Sequence, residues 1–252
     1  MTVFLNSLIL FLSALGGGLL FLIFPQTRKW SFRNILMLAG SYLFSITVVH
    51  ILPEVYVDFP NPGLIGIFIL IGFFLQLVLV YFSKGIEHGH IHSHTPESGH
   101  SHFHSSQLAS LMIGLGVHSF LEGMIVAQPS GIVVHHPAGG VLLGIVIHKI
   151  PVAFSLMAVF YYGHMQKFKA FLYLFLFSMV SPAGYIFNQF LNFQAGLPQV
   201  YVSMLSGVVS GTFLYISTTI FFETSPGHHF SFTKLMYAIS GGALAILVEI
   251  FI

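Results

Sequence analysis

Eight apolar stretches, each about as long as a bilayer is thick, limit what this chain can become: roughly 3–24, 34–52, 63–82, 107–128, 139–162, 168–190, 200–222 and 233–252. A spanning helix needs about 20 mainly apolar residues. In hydrocarbon every backbone N–H and C=O must be paired within the protein, which for single stretches of this length means helices. The chain therefore reads as an all-α membrane protein with eight transmembrane helices. Charge agrees, since 6% of the 252 residues are charged, against about 25% in ordinary soluble domains. Eight basic and seven acidic residues leave a net charge of +1, so there is no basic field to hold nucleic acid. Cysteine is absent, which excludes disulfides, thiolate metal sites and thiol nucleophiles, so a metal must be held by nitrogen and oxygen. The first stretch, Val3 to Phe24, has no basic n-region and is long enough to span. It reads as a retained helix and not as a cleaved signal peptide.

The basic residues set an expected topology. Arg28, Lys29 and Arg33 follow the first span, Lys84 the third, and Lys167 and Lys169 the fifth, while Lys234 opens the eighth; all fall on one face. The opposite connections, near 53–62, 129–138 and 191–199, contain no Lys or Arg. The positive-inside rule then puts both termini outside the cytoplasm, in the inner (cell) membrane if the host is bacterial. Gly40-Ser-Tyr-Leu-Phe-Ser-Ile-Thr in the second span echoes Gly211-Thr-Phe-Leu-Tyr-Ile-Ser-Thr in the seventh, each running on to a glutamate, Glu54 or Glu223. Because those spans have opposite orientation, the expected plan is 3+2+3: inverted repeats of helices 1–3 and 6–8 around a central pair, 4 and 5. Plans of this kind place a site near the midplane.

Residues 1–252 read as a single transmembrane domain with one long connection, 83–106. That connection carries His88, His90, His92, His94, His100, His102 and His104. Alternating histidine with Gly and Ser suits a flexible chain that chelates borderline metal ions through neutral imidazole, and the topology makes it cytoplasmic. The competing reading is a solvated linker with incidental histidine.

Ionisable groups near mid-bilayer are costly and mark candidate sites. The fourth span reads Gly116-Val-His118-Ser-Phe-Leu-Glu122-Gly123, and the i, i+4 spacing puts His118 and Glu122 on one helix face. The fifth span, Gly144-Ile-Val-Ile-His148-Lys149-Ile-Pro151, brings His148 to similar depth. A short loop should make these spans antiparallel neighbours, so His118, Glu122 and His148 can form a two-histidine, one-carboxylate shell acceptable to Zn²⁺, Fe²⁺ or Mn²⁺. Histidines that merely bond between helices are the alternative. Pro151 frees a backbone carbonyl one turn from His148, which requires protein or water around it. Lys149 has two readings: a counter-ion for Glu122, or a side chain turned away to a carbonyl or water. His50, four residues before Glu54 at the outer end of the second span, is either a ligand where metal enters or a helix-end histidine in interfacial water. His135, His136, His228 and His229 read as plain loop residues. The phenylalanines read as lipid-facing bulk, and clusters such as Gly16-Gly17-Gly18 as places of close helix packing.

On these motifs the sequence resembles the ZIP family of divalent metal transporters. His118-Ser-Phe-Leu-Glu122-Gly123 is similar to the family's fourth-helix signature, and His148-Lys149-Ile150-Pro151 to the start of its fifth. His50-Ile-Leu-Pro53-Glu54 is similar to the second-helix motif, and Gly211-Thr-Phe-Leu-Tyr215 to the seventh. The fifth-helix motif often reads His-Glu-x-Pro-His-Glu, whereas this chain has Lys149, Val152 and Ala153 at the later polar places, and Ser181 where some relatives supply a sixth-helix glutamate. By analogy Lys149 replaces a second metal with a fixed charge, as in a His-Lys-x-Pro branch, and the site should bind less tightly. Ser119 and Ser181 join His50 and Glu54 as candidate pathway residues.

The function these observations imply is uptake of divalent metal ions, Zn²⁺ foremost and Cd²⁺, Fe²⁺ or Mn²⁺ as alternatives, in a lipid bilayer. The metal is cargo, no cofactor is implied, and a homodimer stays open. The family's fold implies that one helix bundle moves against another. Two rivals come from other classes: a zinc-dependent membrane hydrolase, although His-Glu-x-x-His is absent, and a metal sensor or binding protein that does not transport.

Overall fold

Apolar residues on every face make each stretch a helix with no preferred wet side, so packing must be decided by shape. The computed structural model describes residues 2–23, 29–57, 59, 61–83, 105–126, 139–195, 199–223 and 231–251, and among them no strand occurs. We label eight helical rods: α1 (Thr2–Ile23), α2 (Lys29–Ile46, continuing through a π-helical turn Thr47–Ile51 into Leu52–Val57), α3 (Pro62–Ser83), α4 (Ser105–Val126), α5 (Gly139–Tyr162), α6 (Lys167–Ala195), α7 (Gln199–Glu223) and α8 (Phe232–Phe251). All eight are long and apolar enough to cross a membrane.

One boundary differs from expectation. The second span was expected to end near residue 52, with Pro53 opening a loop. Instead the helix runs on to Val57, because the wider π turn, closed by Leu52 N–H on Thr47 O, immediately precedes the proline that has no N–H to give. Ser83 ends α3 and Ser105 begins α4, so nearly all of the connection expected over 83–106 lies outside the described residues. The tract histidines 88–104, and likewise His135, His136, His228 and His229, lie outside the described residues.

The closest helix pairs are α3 with α7, α2 with α8, α1 with α5, and α4 with α6. Each is seated on glycine. A Cβ on Gly72 would run into the Val208 carbonyl, and one on Gly211 into that of Ile69, both between α3 and α7. Gly241 sits likewise on Leu38 of α2, Gly17 on Ile150 of α5, and Gly123 and Gly184 on Ser181 and Phe120 across α4 and α6. Where lipid tails are as apolar as leucine, such backbone approach supplies the dispersion energy that holds helices together.

These pairs sort the helices into two groups. One is α1, α4, α5 and α6, with α1 also against α6 and sharing a core of Leu115, Leu156, Phe160, Leu174 and Phe177. The other is α2, α3, α7 and α8, with α2 also against α7. Between the groups the seams are mainly α3 on α4 and α2 on α5. At the second seam Tyr42 fills the space beside Gly144 and donates its hydroxyl to the Gly140 carbonyl at 3.0 Å. Expected neighbours α4 and α5 hardly touch along their lengths, because α6 covers α4 and α1 covers α5. Gly40 and Gly211, matched in the sequence echo, face different helices: Gly40 meets Ile220 of α7.

Turn chemistry joins α5 to α6. His164, at φ 53°, takes the left-handed place usually given to glycine, and Met165 N–H on Phe160 O with His164 N–H on Tyr161 O completes a Schellman cap. The phenylalanines divide. Phe4, Phe74, Phe168 and Phe251 face outward, but Phe21, Phe160, Phe177 and Phe213 are buried, with Phe21 edge-on to Phe154 and Tyr161. Lipid-facing bulk thus describes only part of them.

Neighbouring glycines of α1 give a controlled test. Gly17→Ala places its methyl 2.6 Å from the Ile150 carbonyl, whereas Gly16→Ala meets nothing within 4 Å. Gly17→Ala should lower the thermal unfolding midpoint in detergent by the equivalent of about 1–3 kcal/mol. Gly16→Ala should leave it unchanged or raise it, alanine being the better helix former by about 1 kcal/mol. Equal midpoints for the two variants would contradict the glycine-seated packing.

Candidate metal site

A helix repeats every 3.6 residues, so His118 and Glu122 stack one turn apart on α4. In the structure His118 Nε2 lies 3.2 Å from Glu122 Oε1. From α5, His148 Nε2 approaches the same oxygen at 4.0 Å. The two imidazoles meet edge to face, with centroids 5.9 Å apart and planes at 84°. All three side chains are buried. Among the described residues this is the one place where three such side chains offer ligand atoms within 4.8 Å of one another. A tetrahedral ion with bonds of about 2.0–2.2 Å spaces its ligands by about 3.3 Å, so small side-chain shifts suffice. Neither ring nitrogen of His148 has a hydrogen-bond partner among the described residues, a costly state for a buried imidazole and one that a cation relieves.

Lys149 decides how the carboxylate is shared. It turns inward, and its Nζ donates to Glu122 Oε2 at 2.5 Å and to Ser119 Oγ at 2.7 Å, with the Phe177 ring 5.6 Å away on another side. Ser181 Oγ donates to the Ser119 carbonyl at 2.6 Å. Its single proton is thereby committed, so the 3.0 Å contact between the two serine hydroxyls has Ser119 as donor and Ser181 as acceptor. The relay runs from Lys149 through Ser119 and Ser181 into the α4 backbone. It fixes Oε2 on the ammonium and leaves Oε1 turned to the two imidazoles.

The backbone supports this arrangement. Gly123 and Gly184 let α4 and α6 touch beside Ser119 and Ser181, and Asn188 of α6 donates to the Met124 carbonyl at 2.8 Å. Thus α4 contributes His118, Ser119 and Glu122, α5 contributes His148 and Lys149, and α6 contributes Ser181. His50 and Glu54 stand apart from this cluster. His50 sits in the π turn of α2, with Nε2 3.8 Å from Glu54 Oε2 and Nδ1 3.1 Å from Glu249 Oε2 of α8. Sequence reasoning passed over Glu249, although a lone carboxylate in the last turn of an apolar span was a visible signal.

A buried group of two imidazoles and a carboxylate that could hold a metal ion, inside a bundle of eight membrane-length helices, defines a multi-pass membrane protein with a polar cluster in its core. The family model described as ZIP Zinc transporter matches residues 81–249, a stretch that takes in the whole cluster. The chain belongs to that family. Protein zntD of Dictyostelium discoideum is 34% identical to it over 140 residues, covering 53% of this chain and 20% of that protein. The chain thus spans about a fifth of the length of this curated relative.

The ion pair makes a stability prediction. Lys149→Met leaves the Glu122 carboxylate buried without its ammonium, and should cost on the order of 3–5 kcal/mol in unfolding assays. Adding Glu122→Gln should restore most of the loss. Additive effects in this double-mutant cycle would show that the two groups do not depend on each other.

Proposed function

We propose that this protein carries divalent metal ions across a membrane, with Zn²⁺ the foremost cargo, and that His118, Glu122 and His148 bind the ion in transit. The observation that carries this reading is the convergence of those three buried ligands in a chain of the ZIP zinc transporter family. Imidazole and carboxylate suit Zn²⁺, and Cd²⁺, Fe²⁺ and Mn²⁺ are accepted by the same set.

Lys149 supplies a fixed positive charge that balances Glu122 when no ion is bound and repels the ion when one is. One carboxylate oxygen, two imidazoles and a nearby ammonium make a site that holds metal loosely and releases it readily. Ser119 and Ser181 position the ammonium and take no metal.

The site lies in the α1–α4–α5–α6 group, whose internal pairs are locked by glycine-to-backbone contact. Its seams with the other group include side chains such as Tyr42, and a rigid shift of one group against the other exposes the site to alternate sides. The repeat plan fits this reading, because exchanging helix 1 with 6, 2 with 7, 3 with 8 and 4 with 5 maps the closest pairs onto one another. The distribution of Lys and Arg supports outside termini and inward flux toward the histidine tract.

Uptake into proteoliposomes holding a fluorescent metal indicator tests the proposal. Wild type should carry Zn²⁺, His118→Ala, Glu122→Ala and His148→Ala should each lower the rate at least about tenfold, and Lys149→Ala should change the half-saturating concentration. Metal binding without movement would favour a sensor, and unaltered uptake in the ligand variants would move the transport site elsewhere.

A further inference from the structure

An ammonium carries three N–H donors, and Lys149 places two of them, on Glu122 Oε2 and Ser119 Oγ. The third has no acceptor among the described residues. Instead Nζ lies over the ring of Phe177, 5.6 Å from its centroid. Phe177 and Ser181 stand one turn apart on α6. This helix supplies none of the three candidate metal ligands, yet it meets the ammonium with an aromatic face and bonds the serine that accepts from it. The side chains of Lys149 and Phe177 are both buried, so the charge has to be met within the bundle.

That enclosure matters once an ion arrives. A divalent cation held by Glu122 Oε1 and the two imidazoles draws the carboxylate's charge to itself and repels the ammonium, which is then a buried charge without compensation, a costly state. An aromatic face attracts a cation, and more strongly where water is excluded. In the empty site Glu122 neutralises the ammonium and the ring adds little. In the loaded site the ring and the Ser119 oxygen are what remain to hold it. We infer that Phe177 is the resting place of the Lys149 ammonium when a divalent, zinc-like ion takes Glu122, and that it thereby sets the metal affinity of the cluster.

The inference rests on the reading of His118, Glu122 and His148 as the ion's ligands. Phe177 itself touches no ion and is a positioning residue. Its effect runs through Lys149, which separates it from the other buried phenylalanines: removing its ring weakens metal binding only while the ammonium is present.

The test is Zn²⁺ binding to the purified full chain in detergent, measured by competition with a fluorescent chelator, with the histidines of the 88–104 tract changed to serine in every variant. The share of the cluster is the binding lost in His148→Ala. Phe177→Leu should raise the dissociation constant of that share about 5–30-fold; Phe177→Met, which also lacks the ring, should do the same and stands in if the leucine variant folds poorly. Phe177→Tyr keeps a ring and should stay within about threefold of wild type. In a Lys149→Met background, Phe177→Leu should leave the constant unchanged. A merely structural role for Phe177 would lower the thermal midpoint while leaving affinity alone, or would shift affinity equally with and without Lys149. The inference is overturned if the ring-free variants bind like wild type, if tyrosine fails to preserve affinity, or if the loss persists without the ammonium. Equal Zn²⁺ binding by wild type and His148→Ala is a distinct result, which removes the cluster as the metal site and the inference with it.

Discussion

An ionised carboxylate in the apolar interior of a helix bundle is the constraint around which this structure is arranged. Glu122 is buried, and leaving such a charge unpaired costs more than most single interactions return. Lys149 meets one oxygen and the two imidazoles surround the other. The ammonium must itself be satisfied, which draws in Ser119 and, through it, Ser181. Five side chains from three helices are thus committed by one buried charge. The same arrangement groups the side chains we propose as ligands for a cation, because the oxygen left to the imidazoles is the one they can share with an ion.

Such a cluster holds its geometry only if the helices beneath it do not drift. Gly123 and Gly184 bring the α4 and α6 backbones together beside the serine pair, and Gly17 does the same for α1 and α5 next to Ile150, between Lys149 and Pro151. Small polar side chains can face such contacts because they bond within their own helix, as Ser178 does to Leu174 and Ser217 to Phe213. Backbone-to-backbone contact within each four-helix group, and fewer approaches between groups, divide the bundle into two closely packed halves.

How much of this was legible in advance depends on whether a feature is local. The i, i+4 pairing of His118 with Glu122 follows from helical pitch, and the shared depth of His148 follows from span lengths, so both were readable from one-dimensional spacing. The close approach at Gly17 and Gly18 was readable too, but its failure at Gly16 was not, because that depends on which way α1 is rotated. Glu249 went unnoticed for the same reason: its meaning lies in the proximity of α8 to His50, not in its own neighbours along the chain. The burial of Phe21 and Phe213 against the exposure of Phe74 was equally invisible, since all are alike in sequence.

The sequence by itself determined that eight helices form, where they start and stop to within a few residues, and which of them carry ligand-type side chains. Those properties rest on length, hydropathy and pitch, which each segment has alone. Tertiary structure decided that Lys149 turns to Glu122, that α4 and α5 meet at the ligands while leaning on other helices, and that Glu249 faces His50. The physical reason is that a helix apolar on every face has no amphipathic stripe to announce its inward side. Its rotation and its partners are set by where glycines allow backbones to touch and where buried charge must find its complement.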